Sequence, residues 1–450
     1  MRRLSPYLLL LFLSGCAPRF IYYTSPLPGV TSVLETPEFW IEKLPHPDSV
    51  LLSGRGIRAL NRETAERGTY FDVLEKDTII YGGDLKDALY KQLRRIKSKN
   101  RVSHTGLPLS QSFWREIEEK MDLGNIADTI SPSYGITLKG LHLRALPTNE
   151  VAVSSRSCEF DKFQVTSVRP FEPVLILHRS REKDWLYVKC SIAEGWVAAE
   201  DIARCMRDTV ASFLDTPFVV VTAQEIALYG DRDLEEFLMW LPMGTRVKLG
   251  EIHSGETISV IMPIKGIDGK LGFREAFLLN NADVHLGYLP YTQRNIINQA
   301  FRLLSFPYGR GGTWNADDCS GTILRIFSCF GINLPRNSRE QLGAGLRLTS
   351  FGKNTKTKER TRALYRAVPG ITILGWPGHI MFYLGEYAGR HYCLQNIWGM
   401  KKRRWFTEDF LYIGKTVVSD LSLGRGSRRG SLLERLTKVR VVLPINMSSE

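Results

Sequence analysis

Two side chains in this sequence stand where they could carry acyl-transfer chemistry. Cys319 lies in Asp317-Asp318-Cys319-Ser320-Gly321, directly before an apolar-periodic stretch with Ile323, Ile326, Phe327 and Phe330. A thiol at a helix N-terminus meets unpaired N–H groups and the positive end of the helix dipole, which favour thiolate over thiol. The Gly-rich turn Pro307-Tyr308-Gly309-Arg310-Gly311-Gly312 lets backbone come close, and the N–H of Cys319 can donate to an oxyanion. His379 opens the strand-like run from Gly378 to Leu384 and supplies a base of near-neutral pKa. A third polar group must orient the imidazole. The next strand-like run offers Gln395 and, nearer its start, His391. Cys329 follows ten residues after Cys319, about 280° around a helix, and points elsewhere.

Several kinds of element must position these groups. Residues 33 to about 130 read as mostly helical, with Leu85, Leu89 and Leu93 on one face and a further helix opening at Phe113, Ser112 its expected cap. From Tyr134 to Ile202 the pattern turns to short strands: Val174–His178, Trp185–Lys189 and the run from Gly195. Residues 217 to 290 repeat that texture at Phe218–Thr222, Thr245–Leu249 and Thr257–Met262, which suggests two small barrels. Trp185 and Trp196 are expected in barrel core. At Tyr291 the pattern returns to helix, capped by Thr292 and carrying Ile296, Ile297, Ala300, Phe301 and Leu304. Residues 371–398 are strand-like. The segment from Ser422 to Arg440 holds six Arg or Lys and one acid, and is expected to lie on the surface as a basic tail. The expected class is α+β: a helical region (33–131), two β-barrels (132–208 and 209–290), a catalytic domain (291–422) and the tail (423–450).

Composition narrows the setting. The 450 residues are 43% hydrophobic and 24% charged, ordinary for a globular chain and incompatible with collagen, a mucin stalk or wholesale disorder. No apolar run is long enough for a multi-span membrane protein. Seven cysteines without a C-x-x-C pair exclude a disulfide scaffold and a zinc ribbon, so no metal and no cofactor are expected. The net charge of +13 suggests an anionic surface nearby without choosing among nucleic acid, lipid and cell wall. The Lys401-Lys402-Arg403-Arg404 cluster is expected to be a solvated face.

The N-terminus points to a compartment. Arg2 and Arg3 precede the short apolar run Tyr7–Leu13, and Leu13-Ser14-Gly15-Cys16 follows at once. This resembles a bacterial lipoprotein signal. The resemblance implies removal of residues 1–15, acylation of Cys16, a tether over 16–32 and a periplasm-facing protein held on a membrane by lipid. Loss of Arg2 and Arg3 lowers the charge by two, to +11.

The catalytic segment resembles the NlpC-type papain-like cell-wall peptidases. The likeness runs through Pro307-Tyr308, Gly311-Gly312, Asp318-Cys319-Ser320-Gly321, Leu334-Pro335-Arg336, Ser338, Gln341, Gly378-His379 and Tyr383-Leu384-Gly385. Upstream, Leu143 to Thr148, Asp161, Phe163-Gln164 and Gly195-Trp196-Val197 are similar to bacterial SH3-like barrels. The resemblance implies Cys319 as nucleophile, His379 as base and Gln395 as orienting residue, with His391 the alternative if the hairpin is shorter. It implies that Asp318, Ser320 and Ser338 bind substrate, the first two at the amine and backbone of an N-terminal L-alanine. The implied partners are peptidoglycan-derived peptides, not nucleic acid, bound by a monomer that cuts the γ-D-glutamyl bond to a diamino acid. Two positions depart from the pattern: Arg310 stands where an aromatic is usual, with Trp314 near enough to fill its space, and Val165 stands where relatives often have Tyr. Two other functions are compatible with the sequence: a non-catalytic wall-binding lipoprotein, and an amidase or acyltransferase on the same fold.

Overall fold

The computed structural model describes residues 20–23, 26–74, 80–154, 160–251, 255–404 and 407–445. The expected signal at 1–15, the acylated Cys16 and Cys158 lie outside the described residues.

The N-terminal part holds helices Pro37–Ile41, Gly54–Glu66, Gly82–Lys97 and Gln111–Met121. Gly82–Lys97 buries Leu85, Leu89, Leu93 and Ile96 on one face, as their spacing requires. The helix Gln111–Met121 is capped by Ser110, whose hydroxyl accepts from Phe113 N–H at 3.1 Å. Ser112, the expected cap, sits inside the first turn with its hydroxyl 2.8 Å from that of Ser110.

A seven-stranded antiparallel sheet follows, in the order Ile202–Cys205, Ser133–Thr137, Pro173–Arg179, Trp185–Lys189, Glu194–Ala198, Leu141–Arg144 and Gln164–Val168. Phe163, Trp185 and Trp196 are buried in one cluster with Leu89, Leu93 and Ile117, so the N-terminal helices cover a face of this sheet. After the helix Arg207–Leu214 comes a second seven-stranded sheet, running from Phe237–Pro242 at one edge to Val284–Leu286 at the other. Its core is aliphatic: Val219, Val221, Leu228, Leu241, Val247, Val260 and Leu278.

The third sheet carries the candidate site. Its order is Phe20–Tyr22, Thr407–Asp420, Arg390–Arg404, His379–Tyr387, Thr372–Trp376, Lys438–Val441 and Leu346–Ser350. Helices Gln293–Arg302, capped by Thr292, and Cys319–Ser328 share its core. Two expectations fail here. The segment expected as a basic tail supplies the helix Leu432–Arg435 and an internal strand. Within that strand Val439 and Val441 are buried and alternate with Lys438 and Arg440, a period-2 pattern that a charge count conceals. The expected tether also contributes structure, since Phe20–Tyr22 pairs in parallel with Phe410–Tyr412. Among the described residues no helix is long and apolar enough to cross a membrane. Lys401 and Arg404 are ion-paired to Glu408 and Asp409 on the neighbouring strand.

Candidate active site

Cys319 is the first residue of the helix Cys319–Ser328, and Asp318 is its N-cap. Five donors converge on the Asp318 carboxylate. Oδ1 accepts from Gly321 N–H at 2.8 Å, Ser320 Oγ at 2.9 Å and Arg336 Nη1 at 3.0 Å. Oδ2 accepts from Arg336 Nη2 at 2.9 Å and Gly311 N–H at 3.0 Å. Burial alone would raise this carboxyl, but the Arg336 charge and these donors bring it down to about 2. All five contacts come from the protein itself, so Asp318 is held rigidly at the start of the helix.

The first sheet reaches this end of the helix. Thr166 Oγ1 accepts from Arg336 Nε, and Gln164 Nε2 donates to Gly311 O at 3.0 Å. Gly311 and Gly312 both have positive φ. A Cβ on Gly312 would fall 2.2 Å from Ser167 Oγ, so the close approach needs glycine there.

His379 begins the strand His379–Tyr387, paired with Trp376. Its Nε2 lies 2.7 Å from Gln395 Oε1, and Gln395 Nε2 donates to Ser419 Oγ at 2.6 Å. With the amide oxygen turned to His379, Nε2 carries the proton and Nδ1 is the free acceptor. The Trp376 ring lies 5.1 Å from the imidazole, and Arg435 covers that ring at 4.0 Å. His391 sits at the far end of the hairpin, opposite Glu386, with Nδ1 2.8 Å from Tyr383 Oη. The structure therefore places Gln395, not His391, against His379. Ser338 accepts from Gly378 N–H at 3.3 Å and so holds the residue before His379.

Cys319 and His379 are both buried, at 7% and 8% exposure. Burial first, then the Asp318 charge, pushes the thiol up to about 12, while the backbone N–H groups of Ile380 and Ser320 and the charge of Arg336 act the other way. Ile380 follows His379 directly, so the sulfur faces the start of the histidine strand. Burial lowers His379 to about 4, against the Gln395 hydrogen bond, which raises it. Both directions run against the thiolate that the helix position favours. The positive helix end is already occupied by the Asp318 carboxylate, and desolvation outweighs the dipole. Both shifts favour the neutral thiol and neutral imidazole over an ion pair.

Four contributors carried no assigned role in the sequence. Arg336 fixes Asp318, and its signal was its place beside Pro335 in a quoted motif. Asn396 donates to Pro307 O at 3.2 Å, Asp317 O at 3.0 Å and Thr322 Oγ1 at 3.2 Å, tying the strand to the helix Cys319–Ser328. Ser419 is distant in sequence and had no local signal. Phe160, from the first sheet's region, packs 5.8 Å from Tyr308, 5.6 Å from Trp314 and 4.7 Å from Trp398. Trp314 thus joins an aromatic wall while Arg310 remains exposed. Cys190, Cys205, Cys319, Cys329 and Cys393 are free thiols. Among the described residues no group of three His, Cys, Asp or Glu is placed to hold a metal.

Comparison with known proteins places this geometry in context. The family described as "SH3 domain (SH3b1 type)" matches residues 151–198, which include four strands of the first sheet. No curated protein sequence matches the chain. A solved NlpC/P60 endopeptidase from Photobacterium damselae subsp. piscicida is similar over 90% of this chain and 97% of its own, at 20% identity and a TM-score of 0.75. An NlpC/P60 family protein from Bacillus cereus ATCC 10987 aligns over 69% of this chain and 100% of its own, at 16% identity and a TM-score of 0.47. By fold, the chain is similar to an NlpC/P60 endopeptidase and carries an SH3 domain of the SH3b1 type.

Proposed function

We propose that this protein is a cell-envelope cysteine peptidase that hydrolyses the γ-D-glutamyl bond to the diamino acid of peptidoglycan stem peptides. The observation that carries this is the Gln395–His379 hydrogen bond at the start of the strand that Cys319 faces. The Photobacterium neighbour, an endopeptidase by its description, supports the same class of reaction.

The geometry suggests an order of events. His379 Nδ1 takes the thiol proton as Cys319 Sγ attacks the γ-carbonyl, so charge separates only when a carbonyl is present to receive it. The Cys319 N–H, at the first position of its helix, donates to the oxyanion. The imidazolium returns the proton to the leaving amine, and the amine departs from a thioester on Cys319. Water, deprotonated by His379, then hydrolyses the thioester and releases the γ-carboxylic acid. Gln395, held by Ser419, keeps the imidazole in the tautomer that both steps need.

Both seven-stranded sheets are SH3-like barrels in this reading, and the N-terminal helices brace the first against the catalytic sheet. Cys16 carries lipid and anchors a monomeric protein to a membrane of the envelope, facing the periplasm. The test is to give purified protein L-Ala-γ-D-Glu-diaminopimelate and follow free diaminopimelate. Release that Cys319→Ala abolishes is expected. No release, or undiminished release by the variant, overturns the proposal.

A further inference from the structure

A glutamyl residue linked through its γ-carboxyl keeps its α-carboxylate free, a short reach from the scissile carbonyl. An enzyme for that bond gains selectivity by placing cations there, because N⁺–H···O⁻ contacts are stronger than neutral ones and an amide in place of the carboxylate forfeits them.

A cavity of about 460 Å³ opens beside Asp318 and is lined by Lys99, Arg101, Lys162, Arg310 and Arg336. Three parts of the chain meet in it. Arg101 comes from the helical region, on a short strand that pairs it with Ser154. Lys162 belongs to the first sheet's region, and Arg310 and Arg336 come from loops of the catalytic domain. The two acids at its wall are already committed, Asp318 to Arg336 and Asp161 to Arg144 at 2.9 Å. Among the described residues neither Arg101 nor Arg310 has an ion-pair partner, and Arg101 Nε is buried without a hydrogen bond.

Solvated arginines on an open face would be unremarkable in a chain this basic. These differ because one is fixed in a ladder with a buried, unsatisfied donor and both look into one cavity. Burial first, then the Arg310 charge, holds the Arg101 guanidinium below its ordinary value, with Asp161 acting the other way. Asp318, at the cavity wall, directly precedes Cys319 in the chain.

We infer that this cavity is the subsite for the α-carboxylate of the γ-linked D-glutamyl residue, with Arg101 and Arg310 setting a preference for the acid over its α-amide. The inference rests on the proposed function and deepens it: the enzyme would read whether the stem peptide is amidated.

The experiment compares kcat/KM for L-Ala-γ-D-Glu-diaminopimelate and L-Ala-γ-D-isoglutaminyl-diaminopimelate in the full-length protein. The acid is expected to be preferred at least about 10-fold, the preference shrinking as salt rises. Arg310→Gln and Arg101→Gln should each bring the ratio towards one, and Arg310→Lys should restore part of it. A ratio near one in the wild type, or a ratio unmoved in both glutamine variants, overturns this inference and leaves the peptidase proposal standing. Cleavage of neither peptide overturns the peptidase proposal, and this inference falls with it.

Discussion

The two small β sheets hold opposite ends of one helix, and they hold them differently. The first meets the N-terminal end of Cys319–Ser328 through polar contacts: Thr166 to Arg336, Gln164 to Gly311, and Arg336 onward to Asp318 and Ser320. The second meets the C-terminal end through close packing and backbone. Gly244 lies against Ser328, Arg325 donates to Gln224 O, and Cys329 Sγ lies 3.6 Å from Val221 O. The contrast separates two tasks. Changes at the first contact should alter chemistry as well as stability, whereas changes at the second should alter stability alone.

The largest effect is expected at Arg336. Removing it leaves Asp318 buried without its counter-charge, so Arg336→Met should cost about 3–5 kcal/mol in chemical denaturation and abolish turnover. A stable, active variant would break the contrast at its polar end. Next comes the histidine pair. Gln395→Ala should lower kcat about 100-fold with KM little changed, while His391→Gln should leave kcat within a factor of about two. Equal losses in both variants would mean that orientation of His379 does not come from Gln395.

At the packed end, Gly244 has a φ of +80°, and a Cβ there would fall 1.8 Å from Ser328 Oγ. Gly244→Val should therefore destabilise by about 1–3 kcal/mol while the folded fraction keeps its kcat/KM. A fall in kcat/KM larger than the loss of folded protein would show that the second sheet also tunes the site.

The smallest effects concern pH. His379 stays neutral down to about 4, against an ordinary value of 6.5. The unfolded chain binds that proton first, so the stability this residue contributes is present above about 6.5 and lost as pH falls towards 4. The Tm of the wild type should drop more steeply over that window than that of His379→Gln. The raised thiol works in the opposite direction: iodoacetamide should modify Cys319 faster at each higher pH from 6 to 9. A rate already high and flat at pH 6 would indicate a resting thiolate–imidazolium pair.

Much of this architecture was legible because local pattern and tertiary role coincide. Leu85, Leu89 and Leu93 share a face because the helix needs a buried stripe, and Thr292 caps because its hydroxyl precedes an apolar-periodic run. Cys319 and His379 stood out by their places before a helix and at the start of a strand, whereas the residues left Gln395 and His391 both open and only the family resemblance favoured Gln395. The direction of the thiol's shift could not be read, since it turns on burial and on the Asp318 charge, which Ser320 and Gly321 of the same helix hold together with Gly311 and Arg336. The strand Lys438–Val441 was hidden by its own basic neighbours, and Phe20–Tyr22 is a strand only because Phe410–Tyr412 lies beside it. Arg336 and Ser419 act across long separations, which local spacing does not encode.

The central claim is that Cys319 carries the acyl group during cleavage. Intact and peptide-level mass spectrometry of protein quenched in acid during turnover of L-Ala-γ-D-Glu-diaminopimelate tests it most directly. The account predicts an L-alanyl-γ-D-glutamyl adduct on the peptide containing Cys319, lost when hydrolysis is complete and absent from Cys319→Ala. Turnover with the adduct on another cysteine, or undiminished turnover by Cys319→Ala, would contradict it.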